Sequence, residues 1–394
     1  MSEFEREERA FRTALATHAI EAPPGAPEVL HPVRRRWLIS LTAAAAVAVA
    51  LLLAPLVISG HDNPSAPPSG SPTTGWAHRE WRWVSYRNVE VKAPAAWNYD
   101  YGAARPDCIN PRNPTDPWAR DVPNAPYVMV GVPARVVPSI GCSRKPEPGD
   151  PDPAFGDLPF AWWQPYIKLD EARPDLDYPD RKDGQWQYRD WRLTRTTVDD
   201  VQISVLAPPD DPSLGGAVLS SVKHVEITSL GCETDSPAQG ERFAAPSGSP
   251  IPAADEVAAV AICEYSRINS RATMNGRAGL DGSHRITGQA ARNLVAAIHD
   301  APTGGGPDRP ENCVQDMYGD RAIALRFFAT SEETNSPLAE AYVYYDWCFG
   351  NGIVGADGKR QLTRANCAPL FAQPPITLWS GSMPVVEACG PPGR

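Results

Sequence analysis

Hydrophobic residues divide this chain into one long apolar run near its start and many short, interrupted segments after it. The run covers residues 37–59, WLISLTAAAAVAVALLLAPLVIS, and contains no charged side chain. A bilayer core about 30 Å thick needs roughly 20 apolar residues in a helix, so the run predicts one transmembrane helix. A cleaved signal peptide and a buried soluble helix are the alternatives, and the charged lead of 36 residues disfavours the first of them.

The charges on either side of the run predict its orientation. Arg34, Arg35 and Arg36 stand directly before it, whereas residues 60–75 carry only Asp62. Basic residues collect on the cytoplasmic side of membrane helices, so we expect a cytoplasmic N-terminus and an extracytoplasmic C-terminal part. The protein would then be an integral protein of the cell membrane.

The segments that flank the run are too short or too polar to fold alone. The tail of residues 1–36 begins with a helical pattern among charges and then becomes rich in proline, and it is too short for a core of its own. Residues 60–75 form a linker rich in Pro, Ser and Gly, which we expect to be extended.

The first part of the remaining chain, residues 76–224, has the pattern of a strand-rich module with one late helix. NVEVKAPAAW, APYVMVGV, LPFAWWQPYIKL, GQWQYRDWRLTR and VDDVQISVLAP read as strands between Pro, Asp and Gly turns. Asp211 to Ser213 predict the start of a helix that runs to Val222.

The second part, residues 225–394, predicts another α+β module. VAAVAICEY reads as a strand, Thr287 is a suitable N-cap for a helix over GQAARNLVAAIHDAP, and RAIALRFFAT with AEAYVYYDWCF predicts a hairpin. We expect a short helix over Thr363–Leu370 and two short strands at the end of the chain. The predicted fold class is α+β, with a boundary between the modules near residue 224.

All the cysteines lie beyond the apolar run, which predicts disulfides in an oxidising compartment. Pairing of sequence neighbours would enclose 33, 30, 34 and 21 residues, but eight cysteines allow 105 connectivities. No two have C-x-x-C spacing, so we predict no metal site. The disulfide candidates are Cys108, Cys142, Cys232, Cys263, Cys313, Cys348, Cys367 and Cys389.

Charge and motifs narrow the candidate chemistry. The formal net charge is −10, and nearly all of it belongs to the part after the apolar run, which opposes nucleic-acid binding. Ser220–Lys223 match S-x-x-K, but the companion motifs of penicillin-recognising enzymes are absent. We therefore predict no catalytic residues and no cofactor.

Two further groups of residues have the side chains, but not the spacing, of a metal site. Asp175, Asp177, Asp180 and Asp183 are close in sequence, but they do not follow the register of a calcium loop, so a solvated turn is the preferred interpretation. His284 and His299 lack spaced partners that would make them metal ligands.

Tryptophan is concentrated in the first module. Nine of the twelve tryptophans lie between Trp76 and Trp191, including the pair Trp162 and Trp163. Exposed aromatic rings can stack on sugars, which makes cell-wall glycan a candidate ligand, with core packing as the alternative use of these side chains.

Several segments resemble exported or membrane-anchored proteins of actinobacteria that have no known activity. The segments are WRWVSYRNVEVKAPAAWNY and SIGC in the first module, and GCETDSP, VAICEY, RITGQAARNLVAAI, GGGPDRPENC, VYYDWCFGNGIV and RQLTRANCAPL in the second. The short tail and single membrane helix are similar to proteins encoded beside sigma factors. The tail differs from zinc-binding anti-sigma factors, because it has His18 and His31 but no cysteine.

These patterns together predict a non-enzymatic, single-pass envelope protein. Its extracytoplasmic part would bind or sense a ligand, for which the cell wall is one source. A solvated tail is the preferred interpretation of residues 1–36, and relay of the signal to a cytoplasmic partner is the alternative. The alternative is a hydrolase acting on cell-wall glycan through carboxylates that no motif marks.

Overall fold

The structure is a computed structural model, and the described residues all fall within one compact unit, Thr73–Arg394. The described residues are 80–100, 122–131, 149, 151–156, 158–172, 182–240, 243–267, 278–309, 319–378, 380 and 382–390. The predicted tail (residues 1–36), transmembrane helix (37–59) and linker (60–75) lie outside them. In the described part of the chain, no helix is long and apolar enough to cross a membrane.

The first described element is a small antiparallel sheet in the order β1-β2-β9. It consists of β1 (Trp81–Tyr86), β2 (Val89–Pro94) and β9 (Lys223–His224). In β1 and β2 the inward positions are apolar and buried, including Val84, Val89 and Val91. Alternation in the strand sends Trp81 and Trp83 to the opposite, outer face.

A six-stranded mixed sheet follows, with the order β3-β4-β5-β8-β7-β6. Strands β3, β4 and β5 are parallel, while β5, β8, β7 and β6 pair in antiparallel fashion. The bounds are β3 (Asn98–Tyr99), β4 (Tyr127–Val130), β5 (Tyr166–Glu171), β6 (Gly184–Tyr188), β7 (Trp191–Val198) and β8 (Val201–Ala207).

One hydrophobic cluster joins the small sheet, the mixed sheet and helix α1 (Leu214–Leu219). Val91 of β2, Ile167 of β5 and Val205 of β8 have no exposed surface, and Leu214 and Val218 of α1 complete the cluster. All seven residues of β8 are buried, because this strand lies inside the sheet.

The second large sheet is antiparallel throughout and contains six strands in the order β11-β10-β12-β13-β14-β15. Its bounds are β10 (Ala259–Ser266), β11 (Gly279–Thr287), β12 (Arg321–Phe328), β13 (Ala339–Tyr344), β14 (Gly352–Gly355) and β15 (Gly358–Arg360). One face packs against helix α2 (Gly288–His299), whose buried side chains include Leu294 and Ile298. The other face forms a cluster with Cys232, Ala238 and Phe243.

The end of the chain is helical, which corrects one prediction. Helix α3 (Arg364–Cys367) and a 3₁₀ turn, Ala368–Phe371, occupy the predicted helix, but helix α4 (Met383–Cys389) stands where strands were expected. Pro384 suits the first turn of a helix, and Cys389 is buried against Cys367. The contacts of this segment with the preceding helix, rather than its apolar pattern, decide its conformation.

Three two-residue turns use a non-glycine residue with positive φ. Arg87, Arg189 and Asp199 have φ of 52°, 53° and 54°, and they open the β1–β2, β6–β7 and β7–β8 turns. A left-handed conformation suits the right-handed twist of a hairpin but costs a non-glycine residue about 1 kcal/mol. GQWQYRDWRLTR, which we read as one strand, is therefore a hairpin.

The α+β prediction is confirmed, and the structure bears out strand-rich sheets. Each six-stranded sheet takes all its strands from one side of the predicted boundary near residue 224. The small sheet lies on the N-terminal side, and its strand β9 ends at this boundary. The division into modules of residues 76–224 and 225–394 stays a prediction.

Candidate functional site

Two of the predicted disulfides are present. Cys232 is bonded to Cys263, and Cys367 to Cys389, at sequence separations of 31 and 22. Both pairs are sequence neighbours among the cysteines, as predicted. Cys348 is disulfide-bonded as well, and there is no free cysteine in the described ranges. Cys108, Cys142 and Cys313 lie outside the described residues.

The predicted aromatic pair is divided between two environments. Trp163 is 6% exposed, stacks on Phe155 with ring centroids 4.7 Å apart, and meets Trp191 edge-on at 5.8 Å. Its Nε1 donates a hydrogen bond of 2.8 Å to the Leu158 carbonyl oxygen. Trp163 is therefore core, whereas Trp162 is half-buried at the end of a 3₁₀ turn.

The outer face of the small sheet carries the more accessible aromatic surface, which we call the tryptophan–lysine face: Trp81, Trp83, Lys92 and Lys223. Trp81 is 36% exposed, more than any other tryptophan in the described part of the chain. Trp83 is paired across the strands with exposed Lys92. The Nζ atoms of Lys92 and Lys223 lie 5.1 Å and 3.9 Å from the centre of the Trp83 ring. Such distances are typical of cation–π contacts.

A buried carboxylate positions one of these lysines. Glu90 of β2 has no exposed surface, and its Oε1 accepts hydrogen bonds of 2.7 Å from Ser85 Oγ and 2.8 Å from Ser229 N. Its Oε2 accepts from Ser229 Oγ at 2.9 Å and lies 2.8 Å from Lys223 Nζ. With four partners the carboxylate is fully satisfied, so it holds the Lys223 ammonium group in place over Trp83.

The same contacts give the S-x-x-K segment a structural role. Ser220 Oγ donates to the Ala217 carbonyl oxygen, and Ser221 Oγ donates to the Val218 carbonyl oxygen while accepting from Lys92 N at 2.8 Å. Both serines thus satisfy backbone groups at the end of α1, and Lys223 is paired with Glu90. The segment connects the helix to the tryptophan–lysine face.

The four aspartates that are close in sequence do not form a metal site among the described residues. Asp183 accepts hydrogen bonds from Thr197 N and Oγ1, both at 2.8 Å, and so holds the end of β7. Asp175, Asp177 and Asp180 lie outside the described residues. In the described ranges, no three side chains of His, Cys, Asp or Glu are grouped so that they could hold one metal ion.

The two predicted histidines also differ. His299 is exposed, and its Nε2 contacts the Pro252 carbonyl oxygen at 2.9 Å. His284 is 6% exposed, neither ring nitrogen has a hydrogen-bond partner, and burial lowers its pKa to about 4. His284 is therefore a neutral core residue at pH 7.

A carboxylate network that the sequence did not reveal lies at one end of the second sheet. Glu264 is 2% exposed, accepts from Tyr345 Oη at 2.6 Å and pairs with Arg321 at 3.0 Å. Burial raises the pKa of Glu264, opposed by the nearby Arg321 charge. Asp281 of β11 pairs with Arg87 at 3.4 Å, and the charge of Asp346 also acts on Arg321. The Arg87–Asp281 pair supports a structural role, because it joins the β1–β2 turn to the second sheet.

Comparison with family models, with curated proteins and with solved structures finds no match to this chain. The residues of the tryptophan–lysine face are therefore assigned from the structure of this chain alone. Sequence reasoning did not anticipate it, because Lys92, Glu90 and Lys223 meet only after β2 pairs with β9. The available signal was Trp81 and Trp83 at a spacing of two residues in a strand.

Proposed function

We propose that this chain is a single-pass envelope protein whose extracytoplasmic part binds or senses a ligand outside the cell. The observation that carries the proposal is the pair of disulfides, Cys232–Cys263 and Cys367–Cys389, in the part that follows the apolar run. Structural disulfides persist mainly in oxidising compartments, which supports export of this part. Residues 37–59 would supply the membrane anchor.

The tryptophan–lysine face supports binding as the activity. It offers exposed indole surface next to two ammonium groups, and surface tryptophans of this kind are common at recognition sites. The tail of residues 1–36 would reach a cytoplasmic partner, so that binding outside is relayed inward.

A topology experiment tests the anchor. The full chain is expressed in bacteria with an N-terminal epitope tag and alkaline phosphatase at the C-terminus, which is active only after export. We expect phosphatase activity in a carbonate-resistant membrane fraction that keeps the tag. The matched control lacks residues 37–59 and should be inactive. Soluble, inactive fusion protein would overturn the anchor, and loss of the tag would indicate a cleaved signal peptide.

The relay is tested separately. Proteins that co-purify with the full chain are compared with those that co-purify with a chain lacking residues 1–30. We expect at least one cytoplasmic partner to be lost on deletion, and an unchanged set would eliminate the relay while leaving the binding proposal intact.

A further inference from the structure

We infer that the tryptophan–lysine face binds negatively charged sugars, in which a ring carries a carboxylate or phosphate. This inference rests on the proposed binding function and names the class of ligand. It assigns ring stacking to Trp81 and anion binding to Lys92, whose Nζ lies over the Trp83 ring beside the Lys223–Glu90 pair.

The aromatic part of the argument comes from the register of the small sheet. Trp81 and Trp83 are on one face of β1, opposite Pro94 and Lys92 of β2. Residues two apart in a strand are roughly 7 Å apart, about the reach of one sugar unit. The CH groups on the flat face of a sugar ring are attracted to the negative face of an indole. A ring stacked on Trp81 would therefore place its substituents near Lys92.

The charge part of the argument separates the two lysines. Lys223 is neutralised by Glu90, which lies 2.8 Å from its Nζ. Lys92 is exposed and forms no ion pair with any described residue. One unbalanced positive charge thus remains on a chain of net charge −10 that contains only six lysines. An anionic group on a stacked sugar would complement it.

The same face could in principle attract an anionic membrane, since tryptophan and lysine both favour that interface. A single unbalanced lysine contributes only about 1 kcal/mol to such an attraction, whereas recognition of anionic lipid surfaces takes a cluster of several basic residues. A sugar with one anionic group per ring needs only one such charge, so it matches the site better than an anionic membrane does.

The choice of variants follows from burial. Lys223→Gln is unsuitable as a binding test, because it would leave the buried Glu90 carboxylate without its counter-ion. Trp81→Ala and Lys92→Glu change exposed side chains and should leave the fold intact. Trp162→Ala and Lys182→Glu are matched controls, since they make the same changes at a half-buried tryptophan and an exposed lysine elsewhere in the first module.

The experiment is a calorimetric titration of the full chain in non-ionic detergent. The probes are oligogalacturonate, which has one carboxylate per ring, neutral maltoheptaose, and polyglutamate, which has carboxylates but no sugar. We expect oligogalacturonate to bind about tenfold more tightly than either other probe. Trp81→Ala should weaken this binding about tenfold, and Lys92→Glu should weaken it further and reduce its salt dependence. Both controls should bind like the original chain.

The outcomes separate this inference from the proposed function. Absence of oligogalacturonate binding, or binding that survives both Trp81→Ala and Lys92→Glu, overturns the inference. Loss of binding in Trp162→Ala instead would move the glycan site elsewhere and preserve the function. In a separate detergent-free measurement, with the chain held in nanodiscs of neutral lipid, stronger binding to vesicles containing phosphatidylglycerol than to oligogalacturonate would replace the sugar with a membrane. Circular dichroism and thermal unfolding of each variant confirm that the fold is retained.

Discussion

His284 illustrates how one buried side chain couples stability to pH. Its pKa is lowered from 6.5 to about 4 by burial, so the unfolded chain binds a proton more readily than the folded chain. Stability is therefore lost as the pH falls from about 6.5 to about 4. The maximum loss from this group is about 3 kcal/mol, because one pKa unit corresponds to ~1.4 kcal/mol.

We predict that His284→Leu removes this contribution. Urea unfolding of the original chain at about pH 7.5 and about pH 4.5 should show a larger loss of unfolding free energy than the variant shows. Carboxylates contribute equally to both chains, so the difference isolates His284. His299→Leu is the control, since His299 is exposed, and it should keep the original pH dependence. Equal pH dependence in all three chains would contradict the prediction.

Glu90 and Lys223 provide a second prediction at the scale of single residues. Lys223→Gln should lower the free energy of unfolding by about 3 kcal/mol, because Glu90 stays buried without its counter-ion. Glu90→Gln combined with Lys223→Gln should restore part of that loss. A double-mutant cycle measured by urea unfolding gives the coupling energy, which we expect to be about 1 kcal/mol or more. Additive losses would show that the pair is not coupled.

At the scale of elements, Asn351 links the connection between β13 and β14, in which it lies, to the loop after helix α2. The side chain has no exposed surface, and its Nδ2 donates to the Trp347 carbonyl oxygen at 2.6 Å and to Asp308 Oδ1 at 2.9 Å. A further bond of 3.1 Å reaches the Pro307 carbonyl oxygen. One amide thus holds together two segments that are separate in sequence, residues 307–308 and 347–351.

We predict that Asn351→Asp is strongly destabilising although it preserves shape. The new carboxylate would face the Asp308 carboxylate and two carbonyl oxygens, so the free energy of unfolding should fall by about 3 kcal/mol. Thermal unfolding at neutral pH measures the loss, and part of it should return at low pH, where the new side chain is protonated. Asn335→Asp, on an exposed turn, should have little effect. A neutral outcome for Asn351→Asp would refute this role.

At the scale of the whole molecule, the two described disulfides fasten the segments that surround the second sheet. Cys263 lies on β10 and binds Cys232 of the preceding segment, while Cys389 fastens helix α4 to Cys367 of α3. Closing loops of this length stabilises a protein by about 3 to 4 kcal/mol each in the chain-entropy model.

We predict that reduction lowers the stability of the whole chain. Replacing Cys367 and Cys389 together with serine should lower the free energy of unfolding by about 2 to 4 kcal/mol, as measured by urea unfolding followed by tryptophan fluorescence. Treatment of the variant with dithiothreitol should then cause a further loss, because Cys232–Cys263 remains to be reduced. Equal stability of the original and reduced chains would contradict a structural role for these bridges.

Patterns among neighbouring residues of the sequence determined many of the helices and strands of this protein. Thr287 and an apolar stripe of Ala290, Leu294, Ala297 and Ile298 predicted helix α2 from residue 288 onward, because helical periodicity is a property of neighbouring residues. Leu294 and Ile298 are buried as expected, whereas Ala290 is exposed and Thr287 occupies the N-cap position without a side-chain hydrogen bond. The strands at Val89–Pro94, Val201–Ala207 and Ala259–Ser266 were predicted from short apolar segments between turn residues. Neighbouring cysteines suggested both described disulfides, since short loops are the simplest to close.

Only the tertiary structure decided which side chains meet across the fold. The C-terminal segment became a helix because it packs on α3 and is bonded through Cys389, which no local pattern requires. Trp163 lies in a core while Trp81 is exposed, although both belong to the tryptophan-rich first part of the chain. Glu90 and Lys223 are far apart in the chain and meet through the pairing of β2 with β9. The sequence alone determines the conformation that each short segment prefers. The tryptophan–lysine face also requires the pairing of strands that are far apart in the chain, so only the tertiary structure decided it.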